Sequence, residues 1–190
     1  MVNKLYGSTV YLAGPMDRVP DGGRDWRVWI TPLLQEYGII VFDPLNKPIE
    51  IGTEDSENRD IRKELKQAGE FDSVASIMKE IRAVDLRMVD CSHFIICYMD
   101  IDVHMCGTYE EIFWANRMKR PVLIMCKQGK SEVPDWLFGV FPHSHMFGSW
   151  DDLLQYIHNI NNGSLKDSTN RWMFFNFQKM LLPIVSNRVL

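Results

Sequence analysis

The fold class this sequence predicts is α/β with a parallel sheet, and three observations predict it. Short β-prone runs alternate with helical periodicities along the chain. Those runs are apolar at consecutive positions, as strands covered on both faces are. The connections between them are long enough to hold the helices that parallel neighbours need.

Taken in order, Thr9-Val-Tyr-Leu-Ala13 reads as the first strand, ended by the turn-forming pair Gly14-Pro15. Trp26, Trp29, Leu33, Leu34 and Tyr37 recur at helical spacing around Pro32, so the segment is either one kinked helix or a short turn followed by a helix capped by Thr31. Gly38 closes it, and Ile39-Ile-Val-Phe42 is the second strand, ended by Asp43-Pro44. A polar stretch from Asn46 to about Asp72 follows, with a charged helical piece from Arg59 to Gln67; connections this long tend to be lids or specificity loops. A helix from Ser73 to about Val89 leads to the third strand, His93 to Met99, which opens into the loop Asp100 to Gly107 and the helix behind it. Pro121 to Cys126 is the fourth strand and His143 to Phe147 a weaker fifth. Ser149-Trp-Asp-Asp152 looks like the capped start of a last helix running to about Ile160.

The natural arrangement is a flavodoxin-like five-stranded parallel sheet in the order 2-1-3-4-5, with helices on both faces. Ligands in such sheets bind beyond the carboxyl ends of the strands, here between the first and third. Residues 1–160 form the expected domain, and 161–190 an apolar C-terminal tail after a linker at Asn161-Asn-Gly-Ser164. Trp172, Phe174, Phe175, Phe177, Leu181 and Leu182 are too apolar to hang in solvent; they pack on the domain or form an oligomer interface.

At 190 residues with 46% hydrophobic content, one globular domain with a full core is expected. The net charge of -4, with no basic face visible along the chain, argues against a nucleic-acid polymer as partner and for a small molecule. No signal-peptide pattern and no apolar run long enough to span a bilayer stand out, which predicts a soluble, cytoplasmic protein without membrane contact. Cys91, Cys97, Cys106 and Cys126 lack C-x-x-C spacing, and His104 with Cys106 or His143 with His145 lack further ligands. No metal and no cofactor are expected.

Candidate chemistry centres on Glu111, a carboxylate in the first turn of the helix after the third strand. Thr108-Tyr-Glu-Glu111 also fits a capping box, in which Thr108 and Glu111 serve only the helix start. Asp85 interrupts the apolar stripe Val74, Ile77, Met78, Ile81 and Met88; it is either a hydrogen-bonded core carboxylate or an acid that holds a proton near neutrality. Asp21-Gly-Gly-Arg24 precedes a helix, where Gly23 frees the backbone to approach a ligand and Arg24 can pair with an anion, although Gly-Gly is also common in plain turns.

Three segments carry a resemblance: Val10-Tyr-Leu-Ala-Gly-Pro15, Asp85-Leu86 with Asp90, and Gly107-Thr-Tyr-Glu-Glu-Ile-Phe-Trp-Ala115 followed by Arg120-Pro-Val122. In order and spacing they resemble the nucleoside 2-deoxyribosyltransferases and the related 2′-deoxynucleoside 5′-phosphate N-hydrolases. The resemblance implies Glu111 as nucleophile, Asp85 as the group that protonates the departing base, and Tyr11 beside the nucleophile. It implies cleavage or transfer at the N-glycosidic bond of 2′-deoxynucleosides or their 5′-monophosphates through a covalent glycosyl-enzyme, in a homo-oligomer that completes its pockets across subunits. The expected substrate contacts are Gly14, Pro15, Met16, Gly23, Arg24, Asp43, Asp102, Gly107 and Thr108. Transferases of the family carry an acidic residue two positions before the motif glycine, where this chain has Met105; Asp102 is the substitute at hand. A non-catalytic nucleotide-binding or sensing module is the other class of reading.

Overall fold

The computed structural model describes residues 3–49, 51–52, 56–176 and 179. Its elements run β1 (Thr9–Ala13), α1 (Arg24–Gln35), β2 (Ile40–Phe42), α2 (Ser56–Gln67), α3 (Phe71–Cys91), β3 (Phe94–Met99), α4 (Cys106–Arg117), β4 (Val122–Cys126), α5 (Asp135–Phe138), β5 (Met146–Phe147) and α6 (Trp150–Asn162). The strands pair in parallel in the order β2-β1-β3-β4-β5, as the sequence predicts. Among the described residues no helix is long and apolar enough to cross a membrane.

Alternation along the buried strands divides the core into two layers. Tyr11, Ala13, Ile95, Cys97, Met99 and Ile124 face α3 and α4, where they meet Met88, Val89 and Ile112. Val10, Leu12, Phe94, Ile96 and Leu123 face α1 and α6, where they meet Ile30, Leu34, Leu153 and Ile157.

Several elements differ from their sequence reading for local reasons. Helix α1 is a single helix containing Pro32, and the Thr31 hydroxyl donates to Arg27 O at 2.7 Å instead of capping a new start. The fifth strand shrinks to Met146–Phe147 because His143–His145 form a 3-10 turn, closed by His145 N on Pro142 O at 2.9 Å. Asn161 and Asn162 belong to α6 rather than to a linker, with Gly163 ending the helix at φ 79°. The Asn161 side chain is buried and accepts from Leu5 N at 2.9 Å, which ties the amino-terminal segment to the end of α6.

The described part of the tail lies on its own domain. Trp172 sits 5.1 Å from the Phe94 ring and donates from Nε1 to Tyr156 OH at 3.1 Å, while Arg171 Nη1 reaches Asn116 Oδ1 at 2.7 Å. Phe177, Leu181 and Leu182 fall outside the described residues.

Candidate active site

The site starts from the exit of β1. Tyr11 is the middle residue of the strand and points into the α3/α4 layer, fully buried. Its hydroxyl donates to Glu111 Oε1 at 2.7 Å. Burial, then the charges of Glu111 and Asp85, push the phenol well above its ordinary pKa, so it stays protonated and available as a donor. Glu111 is itself buried, on the inner side of α4.

The neighbouring carboxylate makes the contrast. Glu110 faces outward and forms a forked pair with the Arg82 guanidinium of α3, whose Nε lies 2.8 Å from Oε2. The Arg82 hydrogen bond holds the Glu110 carboxyl below its usual range. One position along a helix rotates a side chain by ~100°, enough to send Glu110 to solvent and Glu111 to the core.

The capping-box alternative does not apply, because α4 begins at Cys106 with Met105 before it and no side-chain cap. Thr108 and Glu111 therefore lie inside the helix, and Glu111 is released for Tyr11. Asp90, Trp114 and Arg120 instead join α3 to α4. Trp114 Nε1 donates to Asp90 Oδ1 at 2.8 Å, and Arg120 Nη2 donates to Asp90 O at 3.0 Å.

Asp85 is buried on α3 as its place in the apolar stripe predicts. Lys47 compensates it, with Nζ at 2.8 Å from Oδ1 while also donating to Gly52 O at 2.7 Å. The sequence offered no sign of that partner, since Lys47 lies in the irregular segment after β2.

A second residue the sequence missed is Arg27. Its Nε and Nη2 donate to Leu12 O, Nη2 to Gly14 O and Nη1 to Gly23 O, and Nε lies 3.5 Å from Asp43. It gathers the β1 exit, the start of α1 and the β2 exit around one buried guanidinium. Arg27 shares a helical face with Ile30 and Leu34, an available signal for a buried cation.

The Gly22-Gly23 pair serves two arginines. Both glycines have positive φ; a Cβ on Gly23 would lie 2.3 Å from Pro15 O and 2.4 Å from Arg27 Nη1, and one on Gly22 would lie 2.9 Å from Arg59. Asp21 fills the adjacent helix start, accepting from Gly23 N at 3.1 Å and Asp25 N at 3.0 Å. Arg24 is exposed at the first position of α1.

Next to the α4 start lies a cavity of about 590 Å³, lined by Pro15, Met16, Gly107 and Thr108 from the predicted contacts, together with residues of α2. Gly14 is buried, its carbonyl held by Arg27. Asp43 serves its own turn, accepting from Leu45 N at 3.0 Å, and Asp102 accepts from Gln128 Nε2 at 3.0 Å. Arg24, Asp43 and Asp102 are not among the residues lining this cavity.

Helix α2 does present a basic face, contrary to the impression from the linear sequence. Arg59, Arg62, Lys63 and Lys66 all line the cavity. Their spacing of i, i+3, i+4 and i+7 is one side of a helix, and interleaved Asp60 and Glu64 disguise it in a composition count. Among the described residues no group of three or more His, Cys, Asp or Glu is arranged to hold a metal ion.

The fold and site define an α/β protein whose parallel sheet places a tyrosine-bound glutamate at the carboxyl side of its central strands. No family model and no curated protein matches the sequence. Among solved structures, a 2-deoxyribosyltransferase from Bacillus psychrosaccharolyticus superposes with a TM-score of 0.53 at 17% identity, over 78% of this chain and 92% of that one. A 2-deoxyribosyltransferase from Leishmania mexicana matches at TM-score 0.49 and 19% identity, over 80% of this chain and 97% of its own. A CMP N-glycosidase from Clostridium botulinum matches at 0.45 and 16%, over 80% and 99%. At such identities it is the shared fold that the first of these likenesses establishes.

Proposed function

We propose that this chain is an enzyme that cleaves or transfers at the N-glycosidic bond of 2′-deoxynucleosides or their 5′-monophosphates. The observation that carries the reading is Glu111, buried in the core layer with its carboxylate oriented by Tyr11 while Glu110 is tied outward to Arg82. The sequence motifs support it, as does the Bacillus psychrosaccharolyticus neighbour, a 2-deoxyribosyltransferase.

In the proposed mechanism the Glu111 carboxylate attacks the anomeric carbon from the face opposite the base. The carbon–nitrogen bond breaks, its electron pair leaves with the base, and the Asp85 site, with Lys47 at 2.8 Å, delivers the proton the base needs. Tyr11 holds one glutamate oxygen, so that the other is the one presented to the sugar. In the second half a free base or water attacks the same carbon, Glu111 leaves as a carboxylate, and the acceptor's proton returns to the Asp85 site. Gly14, Pro15, Met16, Gly107 and Thr108 contact the sugar and its 5′ end, with Gly23, Arg24, Asp43 and Asp102 around them. A homo-oligomer accompanies this reading, with the exposed Met173, Phe174 and Phe175 offered to a second copy; light scattering giving a monomer at micromolar concentration removes that element.

The test is base release from a panel of deoxynucleosides and deoxynucleotides, with and without a free acceptor base. Glu111→Gln is expected to lower turnover by roughly a thousandfold or more while the protein stays folded. Glu110→Gln is expected to retain most activity, because it only loosens an exposed ion pair. A folded Glu111→Gln protein with near-normal turnover ends the assignment, and binding without turnover across the whole panel leaves a nucleotide-binding module. Arg24→Ala is expected to weaken monophosphates by about 1.5 to 3 kcal/mol and barely affect free nucleosides if Arg24 meets the phosphate. Calorimetry showing equal effects on both returns Arg24 to the surface.

A further inference from the structure

We infer that the cavity between α2, the β1–α1 loop and the start of α4 binds a di- or triphosphate group, which extends the proposed substrates from monophosphates to nucleoside polyphosphates. The inference rests on the N-glycosidic reading of Glu111 for its reaction, but not for its anion site. Five cationic side chains, Arg18, Arg59, Arg62, Lys63 and Lys66, line a cavity that holds two carboxylates, Asp17 and Asp60. They do so on a chain whose net charge is -4, so the local sign is the reverse of the whole. Like charges held around one volume repel unless an anion joins them. Five cations against two carboxylates leave an excess of three positive charges, which a single phosphate with at most two charges does not match and a di- or triphosphate does.

The donor geometry agrees. Arg59 is anchored by Nη1 on Met16 O at 2.9 Å and lies against Gly22, which fixes α2 over the β1 exit. Arg62 is almost wholly buried, donates from Nη2 to Asp17 at 3.0 Å, and keeps Nη1 without a hydrogen-bond partner among the described residues. Asp17 is mostly exposed and can swing aside for a competing anion. Lys63 and Lys66 are exposed and mobile enough to follow a flexible chain of phosphates. The opposite wall is the first turn of α4, which starts without a side-chain cap, so its amides and helix dipole add to the attraction. Thr108 on that wall precedes Glu111 by three residues, a rise of ~4.5 Å along α4, which sets the anion end close to the proposed reacting end.

Calorimetry of the full chain with inorganic tripolyphosphate, pyrophosphate and orthophosphate tests the anion site independently of any base. Tripolyphosphate is expected to bind at least about tenfold more tightly than orthophosphate, the effect of one or two added charged hydrogen bonds. The double variant Lys63→Gln/Lys66→Gln, both exposed, is expected to lose about that factor, and Glu111→Gln to lose none. Alkylation of Cys106, which lines the cavity, locates the ligand in a Cys91→Ser background, since Cys97 and Cys126 are buried. Tripolyphosphate is expected to protect Cys106 in that background and to fail to do so when Lys63 and Lys66 are also replaced. Equal affinity for tripolyphosphate and orthophosphate, or no protection of Cys106, overturns the inference. So does displacement of tripolyphosphate by a short single-stranded oligodeoxynucleotide that binds more tightly with a steep salt dependence. Base release then separates the two proposals. Tripolyphosphate binding with no base release from any nucleotide overturns the N-glycosidic reading and keeps the anion site, while release from monophosphates without tripolyphosphate binding does the reverse.

Discussion

On its α3/α4 face β1 presents Tyr11 and Ala13; on its α1/α6 face the same strand presents Val10 and Leu12. The first face then meets Glu111, with Asp85 and Lys47 paired near by, whereas the second meets Ile30, Leu34, Leu153, Ile157 and the ring of Trp172. Both layers are buried. The first sets side-chain carboxylates against a phenol and an ammonium, whereas the second is mostly aliphatic and aromatic, its one buried charge, Arg27, donating to the carbonyls of Leu12, Gly14 and Gly23. The difference separates two kinds of effect: removing Glu111 from the first face should act on turnover, breaking that face's buried ion pair should act on folding, and truncations on the second face should act on folding alone.

The sharpest way to break that comparison is to exchange the effects. Glu111→Gln should show the largest consequence, a loss of turnover of roughly a thousandfold or more at unchanged melting temperature. Ile157→Ala should instead cost about 2–5 kcal/mol of stability through a cavity, with the turnover of the folded fraction preserved. A destabilised Glu111→Gln or an inactive but stable Ile157→Ala would erase the distinction.

Lys47→Met probes the polar face from its structural side. It leaves Asp85 buried without its ammonium, at a cost of about 3–5 kcal/mol for breaking one partner of a buried pair. The double variant Lys47→Met/Asp85→Asn should recover much of that in urea denaturation, since the uncompensated charge is gone. Additive losses would show that the pair is not coupled.

The smallest effect is a pH dependence at the edge of the apolar face. His145 is fully buried, and Tyr156 OH lies 2.9 Å from its Nε2. Burial pushes its pKa down to about 4, with Asp167 partly opposing and Arg171 assisting. A base whose folded pKa is depressed takes up its proton more readily when unfolded, so stability is complete above pH 6.5 and falls as pH drops toward 4. The loss across that window is about 3 kcal/mol at most. His145→Gln should flatten this part of the stability profile, and an unchanged slope would assign it to carboxylates such as Asp167.

Period and composition were enough to read the first four strands, because a strand covered on both faces is apolar along its length; the 2-1-3-4-5 order was the natural arrangement for such an alternation, and the sheet has it. The same logic marked Asp85 as buried, by its place within an apolar stripe. Glu111 was legible as a site candidate only together with its motif, since a capping box and a catalytic glutamate share one local pattern. Setting the capping box aside took the observed start of α4 at Cys106, and finding the partner of Glu111 took the Tyr11 hydroxyl, a hundred positions away in the chain.

What the sequence by itself determined about this protein was therefore its alternation of elements and the faces those elements bury. These follow from local periodicity, which each segment carries within itself. The partners were decided by tertiary structure: Lys47 for Asp85, Arg27 for the carbonyls of Leu12, Gly14 and Gly23, and Arg59 for the space above Gly22. Each joins residues distant in sequence or separated by a turn, and nothing in a local pattern encodes which charge a folded chain will bring to which. The basic face of α2 lies between the two cases, because its helical spacing was present in the sequence, but only the packing of α2 over the β1 exit turned that face toward the cavity beside Thr108.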